Sequence, residues 1–284
     1  MPLVSAREIM LPAQRGRYAV GAFNIENMEM AQAVLEAAAE LKAPVILQTT
    51  PSTLRYADMD QYFAIVQSLA KNSPVPAALH LDHGNSFEIC VKALRAGYTS
   101  IMIDGSHSSF EENIAITKKV AEICLPLNIP VEAELGKVGG KEDDLFSDGP
   151  GYTDPDEAAE FVNQTKVFSL AIGIGTSHGV YPGPPILDKE RVSVIAGKIP
   201  TPLVMHGTSG VPDEDVRECV QRGICKVNYA TELRIAFSDG VKSYLRAKPD
   251  AFDPKEYLGE ARRRVMEVAR LRIRVCGSEG KGYM

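Results

Sequence analysis

The chain has 284 residues, 45% hydrophobic and 24% charged, which suits one large core better than two independent enzymatic domains. Its formal charge of −6, with lysine and arginine scattered, provides no basic surface for nucleic acid. The N-terminal segment contains neither a signal-peptide core nor a membrane-spanning run. We therefore expect one domain over 1–284, cytoplasmic, that binds neither nucleic acid nor membrane.

Short apolar runs recur along the chain, each followed by a longer segment with helical periodicity. The runs are 18–23, 44–49, 77–82, 100–104, 131–135, 169–174, 202–206 and 225–228. This alternation is typical of βα units, and eight strands close a barrel. We predict an α/β fold, a (β/α)8 TIM barrel with an additional C-terminal helix at 254–275. A doubly wound open sheet is the alternative, but the first strand is not followed by a glycine-rich dinucleotide turn.

Polar residues stand at the carboxyl ends of all the predicted strands, where barrels of this type carry their active sites. They are Asn24, Thr50, Asp82 with His83, Asp104, Glu134, His178, His206 with Gly207, and Asn228. A single such residue is more typical of a capped loop. Many of them at one mouth would cost desolvation free energy unless a ligand needs them, so we expect the active site there.

Three histidines, His83, His178 and His206, follow the third, sixth and seventh predicted strands. Three imidazoles with an open fourth position are a known catalytic zinc arrangement. Isolated loop histidines are the alternative, because ligands on different strands have no fixed spacing. His80 lies three residues before His83, and since side chains three apart on a strand face opposite sides, we interpret it as structural. We expect His107 to line the mouth.

Two segments after the seventh and eighth strands combine glycine with hydroxyl side chains: HGTSG at 206–210 and NYATE at 228–232. In TIM barrels these loops commonly bind phosphate through backbone N–H groups and a helix N-terminus. An ordinary turn is the alternative for each segment. We predict a phosphate cradle, to which Gly179 contributes if the sixth loop folds toward it.

Residues 136–153 form the longest stretch without periodicity, and it is glycine-rich and acidic. A loop this long is usually functional or disordered. A mobile lid that carries a catalytic carboxylate, with Glu142 as the candidate, and a solvated surface loop both remain open.

Seven ordered segments resemble the class II fructose- and tagatose-bisphosphate aldolase family and cover nearly the whole chain. They are YAVGAFNIEN, ALHLDHG, SIMIDGSH, VEAELGKVGGKEDD, AIGIGTSHGVY, PLVMHGTSGVPDE and KVNYATELRIAF. The resemblance implies a zinc-dependent lyase of glycolysis and carbohydrate metabolism. It would reversibly cleave D-tagatose or D-fructose 1,6-bisphosphate to dihydroxyacetone phosphate and D-glyceraldehyde 3-phosphate. The later segments look closer to the tagatose branch, whereas LDHG looks closer to the fructose enzymes.

The resemblance also implies roles for individual residues. Positions that match metal ligands are His83, His178 and His206 for zinc, with Asp104 and Glu134 for a second divalent or a monovalent cation. Asp82 matches the acid/base that handles the proton of the aldehyde-derived hydroxyl, and Glu142 matches the lid carboxylate that moves the proton at the nucleophilic carbon.

The substrate contacts that follow from the resemblance and from the strand ends form a larger set. They are Gly179, Gly207, Thr208, Ser209, Asn228, Tyr229, Ala230, Thr231, Asn24 and Thr50. We expect one of Arg270, Arg272 and Arg274 to meet the second phosphate, since guanidinium groups bind phosphate well. The family further implies a homodimer or homotetramer, with a companion subunit as a partner in the tagatose branch.

Other functions are also considered. A Schiff-base aldolase needs a desolvated lysine at the mouth, and Lys226 is the candidate. A non-catalytic companion subunit of a sugar-phosphate aldolase would keep the fold for assembly alone. A metal-dependent hydrolase on this barrel would carry an HxH pair at one strand end, and the sequence contains none.

Overall fold

The computed structural model describes residues 3–142, 145–147, 151–181, 183 and 185–282, and at 141, 142 and 145–147 it describes the backbone alone. Within these residues eight parallel strands form a closed barrel. They are β1 (Val20–Asn24), β2 (Val45–Thr49), β3 (Ala77–Gly84), β4 (Ser100–Ile103), β5 (Val131–Leu135), β8 (Ser169–Ile172), β10 (Leu203–Met205) and β11 (Ile224–Tyr229). They neighbour one another in chain order, and β11 pairs with β1. The predicted TIM barrel is confirmed.

Helices lie outside the barrel or across its amino end. They are α1 (Ala6–Gly16), α2 (Met28–Glu40), α3 (Pro51–Tyr56), α4 (Met59–Lys71), α5 (Phe87–Ala96), α6 (Phe110–Cys124), α7 (Pro155–Thr165), α8 (Lys189–Lys198), α9 (Asp213–Arg222), α10 (Thr231–Ala247) and α11 (Pro254–Val275), with a 3-10 turn at Leu125–Leu127. Helix α11 confirms the predicted C-terminal helix. Throughout the described part of the chain, no helix has the length and apolar content to cross a membrane.

Capping side chains define where several of these helices begin. Asn27, Ser86 and Ser109 each accept a hydrogen bond from a first-turn backbone N–H of α2, α5 and α6, respectively. Such caps satisfy donors that have no partner inside the helix. Each βα loop therefore ends at a defined residue, which fixes the loops at the mouth of the barrel.

The interior of the barrel is apolar at its amino end. Helix α1 lies there, and its Ile9 and Met10 form one buried cluster with Ile46, Ala78 and Val204 from the strands. A larger cluster fills the layer between the sheet and the outer helices. Water and polar groups are thus kept from the amino end, which leaves the carboxyl end as the open mouth.

Three further strands lie outside the barrel: β6 (Gly139–Glu142), β7 (Leu145–Ser147) and β9 (Ser177–His178). The predicted long loop is therefore partly a hairpin, in which β6 pairs with β7 and also runs parallel to β9. Gly140 pairs with His178, and a Cβ on Gly140 would lie 2.3 Å from the His178 carbonyl oxygen. Strands of two to four residues are too short to show the alternation by which a sequence reveals them.

Two glycines inside α10 and α11 provide a test of how closely these helices pack. A Cβ on Gly240 would lie 2.5 Å from the Cα of Ala261, whereas among the described atoms a Cβ on Gly259 would meet nothing within 4 Å. We expect Gly240→Ala to destabilise the protein by about 1–3 kcal/mol through overpacking. Gly259→Ala should stabilise it by up to about 1 kcal/mol, because alanine loses less entropy in a helix. Thermal unfolding should therefore shift in opposite directions, and shifts of the same sign would contradict the close packing.

Candidate active site

The mouth of the barrel holds a cleft surrounded by polar side chains and glycines. Its lining is Asn24, Asp82, His83, His178, Gly179, Gly207, Thr208, Ser209, Asn228, Ala230 and Thr231. All of them are candidate site residues from the sequence. The fold brings them together from loops and strand ends that are far apart along the chain.

Three imidazoles meet at one side of this cleft. His83 lies on β3, His178 on β9, and His206 directly follows β10. Their ring centroids are 4.7 to 6.1 Å apart, and one nitrogen from each ring lies within 4.8 Å of the others. A second group, His83 with Asp104 and Glu134, meets the same limit and shares His83. Imidazole and carboxylate donors at this spacing fit a divalent ion such as zinc.

An irregularity in β3 lets His83 reach the cleft. The His80 ring points into the barrel, where its Nδ1 is 2.8 Å from Ser100 Oγ and its Nε2 is 3.4 Å from Lys226 Nζ. Regular alternation would then turn His83 outward. Instead the register with β4 shifts between Leu81 and Gly84, and His83 adopts a φ of 48°, a left-handed conformation that is uncommon for residues other than glycine.

His80 belongs to neither metal-ligating group, as expected from the sequence. The argument from regular strand alternation is wrong, however, because His80 and His83 do not face opposite sides of the sheet. Both rings are inside the barrel, with His80 at a lower level. Desolvation lowers the pKa of His80 to about 3, so its ring is neutral and serves as a hydrogen-bonding residue of the interior.

Inward-pointing polar residues form two levels beneath the mouth, because residues two apart on a strand share a face. The pairs, lower member first, are His80 and Asp82 on β3, Glu132 and Glu134 on β5, and Lys226 and Asn228 on β11. Sequence reasoning selected Glu134 and missed Glu132. The Glu-Ala-Glu alternation of β5 was the signal, since it places both carboxylates inside the barrel.

Glu132 orients His206 from below. Its Oε1 accepts a hydrogen bond from Lys226 Nζ at 2.8 Å and lies 3.1 Å from His206 Nε2. Burial raises the pKa of Glu132, but the ammonium of Lys226 and the hydrogen bond from His206 outweigh it and hold the pKa well below its usual range. Because an ionised carboxylate only accepts, we infer that His206 carries a proton on Nε2, which leaves Nδ1 as the nitrogen that can ligate a metal.

Nδ1 of His206 and Oε2 of Glu134, at the centre of the site, are among the buried side-chain atoms that lack a hydrogen-bond partner in the described part of the chain. They lie 3.2 Å apart without the geometry of a hydrogen bond. Buried polar atoms without a partner are costly unless something satisfies them. A cation between the two would satisfy both.

The charge balance of the site also fits a metal. Four carboxylates are at most 5% exposed, on Asp82, Asp104, Glu132 and Glu134, and Lys226 supplies one buried ammonium against them. Burial, followed by the charges of its two neighbours, lowers the pKa of His178 well below its usual value, so its imidazole is neutral, as a ligand must be. The residues therefore fit a divalent ion by charge as well as by donor type.

Asp82 is held as a rigid, ionised carboxylate beside His83. Asn24 Nδ2 donates to one of its oxygens at 2.9 Å and Asn228 Nδ2 to the other at 3.0 Å. Burial raises the pKa of Asp82, but the electrostatic influence of the neighbouring His83, His206 and Lys226 outweighs it, and the pKa falls to about 2. The group is thus in its base form at neutral pH.

Gln48 on β2 supports this arrangement and was missed from the sequence. Its Nε2 donates to Asn24 Oδ1 at 2.8 Å, which orients the Asn24 amide toward Asp82. A glutamine inside an otherwise apolar strand was the available signal.

Thr50 was the expected contribution of this strand, but the structure corrects that expectation. Its hydroxyl caps α3, 3.4 Å from Thr53 N, and Thr50 does not line the cleft.

The opposite side of the cleft is built from three loops that follow β9, β10 and β11. Gly179 from the sixth loop, Gly207–Ser209 from the seventh and Ala230–Thr231 from the eighth all line it. Gly207 has a φ of 62°, and a Cβ there would lie 2.8 Å from the Ser177 carbonyl oxygen, so the close contact between the loops requires glycine. Helix α10 begins at Thr231, which directs a helix N-terminus at the cleft.

Tyr229 does not contribute its side chain to this surface, contrary to the expectation. The residue is fully buried in the layer outside the barrel, where its ring stacks on Phe23 with centroids 5.7 Å apart and its hydroxyl lies 3.5 Å from Cys276 Sγ. Its neighbours Asn228 and Ala230 line the cleft because alternate residues of β11 face opposite sides.

The three arginines considered for a second phosphate are all engaged with carboxylates. Arg270 binds Glu40, Arg272 binds Glu232 and Asp213, and Arg274 binds Glu279. None of them lines the cleft. The expectation that one of them is an open phosphate ligand is therefore not supported.

Two other candidates, His107 and Lys226, do not line the cleft, and the side chain of a third, Glu142, lies outside the described residues. His107 is exposed in the loop after β4, not on the cleft. Lys226 binds Glu132 at the lower level and does not line the cleft either, which argues against a Schiff base at this residue. Glu142 ends β6, but its side chain lies outside the described residues.

At the mouth of this TIM barrel, a cluster of imidazoles lies beside a fixed carboxylate and opposite glycine-containing loops and a helix N-terminus. This arrangement suits a metal-centred enzyme for a phosphorylated substrate. The model of the family "Fructose-bisphosphate aldolase class-II" matches residues 4–281, and the chain belongs to this family. It is a class II ketose-bisphosphate aldolase and hence a lyase.

Individual relatives agree with this assignment. The chain is 46% identical to the D-tagatose-1,6-bisphosphate aldolase subunit GatY of Klebsiella oxytoca, over 99% of this chain and 100% of that protein. The YdjI aldolase of Escherichia coli K12 superimposes with a TM-score of 0.87 at 36% identity, over 99% of both chains. The fructose-bisphosphate aldolase Fba of Campylobacter jejuni, at 24% identity and a TM-score of 0.83 over 99% of this chain and 97% of that one, supports the fold alone.

Replacing Glu132 and Lys226 together by methionine tests the support of His206. The double change avoids leaving one buried charge without its partner. We expect divalent-metal affinity to fall about ten- to a hundred-fold, because His206 loses the acceptor that orients it. Chelator competition on the purified protein measures this. Ser169→Ala, which removes a 3.3 Å contact to the other oxygen of Glu132, should change it little. Equal affinities in all three proteins would show that Glu132 does not orient His206.

Proposed function

We propose that the protein is a zinc-dependent aldolase that cleaves D-tagatose 1,6-bisphosphate in preference to D-fructose 1,6-bisphosphate, giving dihydroxyacetone phosphate and D-glyceraldehyde 3-phosphate. The observation that carries the zinc assignment is the meeting of His83, His178 and His206 within 4.8 Å, next to an ionised Asp82. The sugar preference is supported by the 46% identity to the tagatose enzyme subunit over the whole chain.

The three histidines would hold the zinc, and Asp104 and Glu134, which share His83 with it, would hold a second or alternative cation. When bound, zinc supplies Lewis acidity that stabilises negative charge on the three-carbon ketone fragment. The loop residues Gly179, Gly207, Thr208, Ser209, Ala230 and Thr231 would bind the phosphate of that fragment. Fixing the phosphate sets the position of the reacting carbons, which lowers the entropic part of the barrier.

Asp82 would move the proton at the other fragment. Its carboxylate, held by the amides of Asn24 and Asn228, takes the proton of the C4 hydroxyl as the C3–C4 bond breaks. In condensation the same group returns the proton. Glu142 would move the proton at the nucleophilic carbon; its place in β6, two residues after the partner of His178, supports that role.

We infer further that the enzyme acts in cytoplasmic carbohydrate metabolism as a single-domain subunit of a homodimer or homotetramer, with a companion subunit as its partner. The relative from Klebsiella oxytoca is itself described as an aldolase subunit, which supports assembly with other chains. Gel filtration of the purified chain, alone and mixed with a companion subunit, would test this.

Asp82→Ala should reduce kcat by about a hundred- to ten-thousand-fold, the usual contribution of a positioned acid/base group. The metal content should stay unchanged, because Asp82 is not among the three imidazole ligands. Cleavage assays together with metal analysis measure both. Asp58→Ala, which removes a carboxylate at the start of α4 that does not line the cleft, is the control and should keep its turnover. Near-normal activity of Asp82→Ala would exclude this residue as the acid/base.

Metal removal separates the proposed mechanism from its alternatives. Chelator treatment should abolish cleavage, and added zinc should restore it. Borohydride with substrate should not inactivate the protein, because Lys226 is committed to Glu132. The kcat/KM should be higher for D-tagatose than for D-fructose 1,6-bisphosphate. A reversed preference would change the sugar assignment alone, whereas activity without metal would contradict the zinc mechanism, and no cleavage of either sugar would favour a companion-subunit role.

A further inference from the structure

The proposed phosphate cradle consists of three loops from three different βα units. We define it by its lining residues, which are Gly179, Gly207, Thr208, Ser209, Ala230 and Thr231. Loops are the most mobile parts of a fold, and an anion site made of backbone groups works only if the loops keep a fixed register. Contacts outside the cradle must therefore hold the loops together.

Tyr181 joins the sixth loop to the seventh. Its hydroxyl accepts a hydrogen bond from Ser177 N at 2.6 Å and donates one to the Gly207 carbonyl oxygen at 2.7 Å. Burial raises the pKa of Tyr181, so the hydroxyl retains the proton that it donates. The ring also lies beside the end of the seventh loop, since a Cβ on Gly210 would be 3.1 Å from it. One side chain thus spans the two loops that carry Gly179 and Gly207.

Arg272 joins the seventh loop to the eighth from behind the cradle. Its Nε and Nη2 donate to the carboxylate of Glu232 at 2.5 to 2.9 Å, and its Nη1 donates to Asp213 at 2.5 Å. Asp213 opens α9, four residues after Ser209, and Glu232 directly follows Thr231 in the first turn of α10. The Glu232 N–H also lies 3.5 Å from Ser209 Oγ.

The planar guanidinium is what allows one side chain to hold both helix starts. Arginine presents several donors in a rigid fork, whereas lysine has a single ammonium that cannot span two carboxylates in the same way. Arg272 is largely buried, and its partners occupy its donors. These contacts suit a residue that positions loops better than one that binds substrate directly.

We propose that Tyr181 and Arg272 are positioning residues that hold the three loops of the phosphate cradle in register, Tyr181 between the sixth and seventh loops and Arg272 between the seventh and eighth. The inference rests on the proposed function, since it takes the cradle to be the phosphate site. It predicts that loss of either side chain weakens phosphate binding without affecting the metal.

The test uses Tyr181→Phe and Arg272→Met in the full chain. The inhibition constant of inorganic phosphate against cleavage should rise about ten-fold in each variant, since each loses hydrogen bonds that fix a loop. KM should rise by more than kcat falls, and zinc affinity in chelator competition should stay within about two-fold, a difference well below 1.4 kcal/mol. A merely structural role would lower thermal stability but would leave the phosphate inhibition constant unchanged.

Two matched controls lie outside the cradle. Arg262→Met removes an arginine of the same helix that binds Glu36 on α2, and Tyr244→Phe removes a hydroxyl that binds Glu256. Both should leave the phosphate inhibition constant unchanged. If Arg272→Met does not fold, Asp213→Asn weakens the ion pair between Arg272 and the start of α9 with little change of shape. It should raise the phosphate inhibition constant as well.

Ser209→Ala, a change in the cradle itself, separates the two levels of inference. Suppose that it weakens phosphate binding while Tyr181→Phe, Arg272→Met and Asp213→Asn do not. The positioning roles of Tyr181 and Arg272 are then refuted, whereas the assignment of the phosphate cradle is retained. If none of these variants changes phosphate binding, the cradle assignment is wrong, and the positioning roles that depend on it are wrong as well. A parallel loss of zinc affinity in Tyr181→Phe, Arg272→Met or Asp213→Asn would also overturn the proposal, because it would indicate general damage to the mouth of the barrel.

Discussion

Buried negative charge at the carboxyl end of the barrel is the constraint on which the rest of the site depends. Four carboxylates and the imidazoles of His83 and His206 are withdrawn from water there, and among the described residues Lys226 supplies the buried ammonium that faces them. A further cation would stabilise such a cluster, because unpaired buried charge costs several kcal/mol. Nδ1 of His206 and Oε2 of Glu134, which lack hydrogen-bond partners among the described residues, lie where such a cation would fit. If a divalent ion binds there, as we propose, its binding also stabilises the fold.

The barrel concentrates this charge at one end and keeps the other end apolar. Ile9 and Met10 of α1 close the amino end against strand residues, so the polar interior begins only at the level of Glu132 and Lys226. His83 lies at the mouth in a left-handed backbone conformation, which costs about 1–3 kcal/mol for a residue other than glycine. The surrounding strands hold it there, which gives the metal site a rigid base.

The chain itself connects the proposed metal site to the proposed phosphate cradle. In the sixth loop His178 is followed directly by Gly179, and in the seventh His206 is followed directly by Gly207. A proposed metal ligand and a glycine that lines the cradle are thus adjacent in sequence in both loops, so the distance between the two proposed sites can hardly vary. The reacting part of a substrate that touches both sites is held by covalent geometry as well as by contacts, provided that the loops keep their register.

The sequence alone determined the strands, the barrel and the residues of the mouth, because strand periodicity and the polarity of strand ends are local signals. His83, His178, His206 and Asp82 could be selected in this way. Three of them line the cleft, and His206 lies against His83 and His178. Only the tertiary structure decided which face a residue uses and what lies opposite it. The bulge in β3, the support of His206 by Glu132, the burial of Tyr229 and the engagement of Arg272 with two helix starts all depend on neighbours far apart in sequence. No local pattern specifies such contacts, since they arise when separate elements close around one barrel.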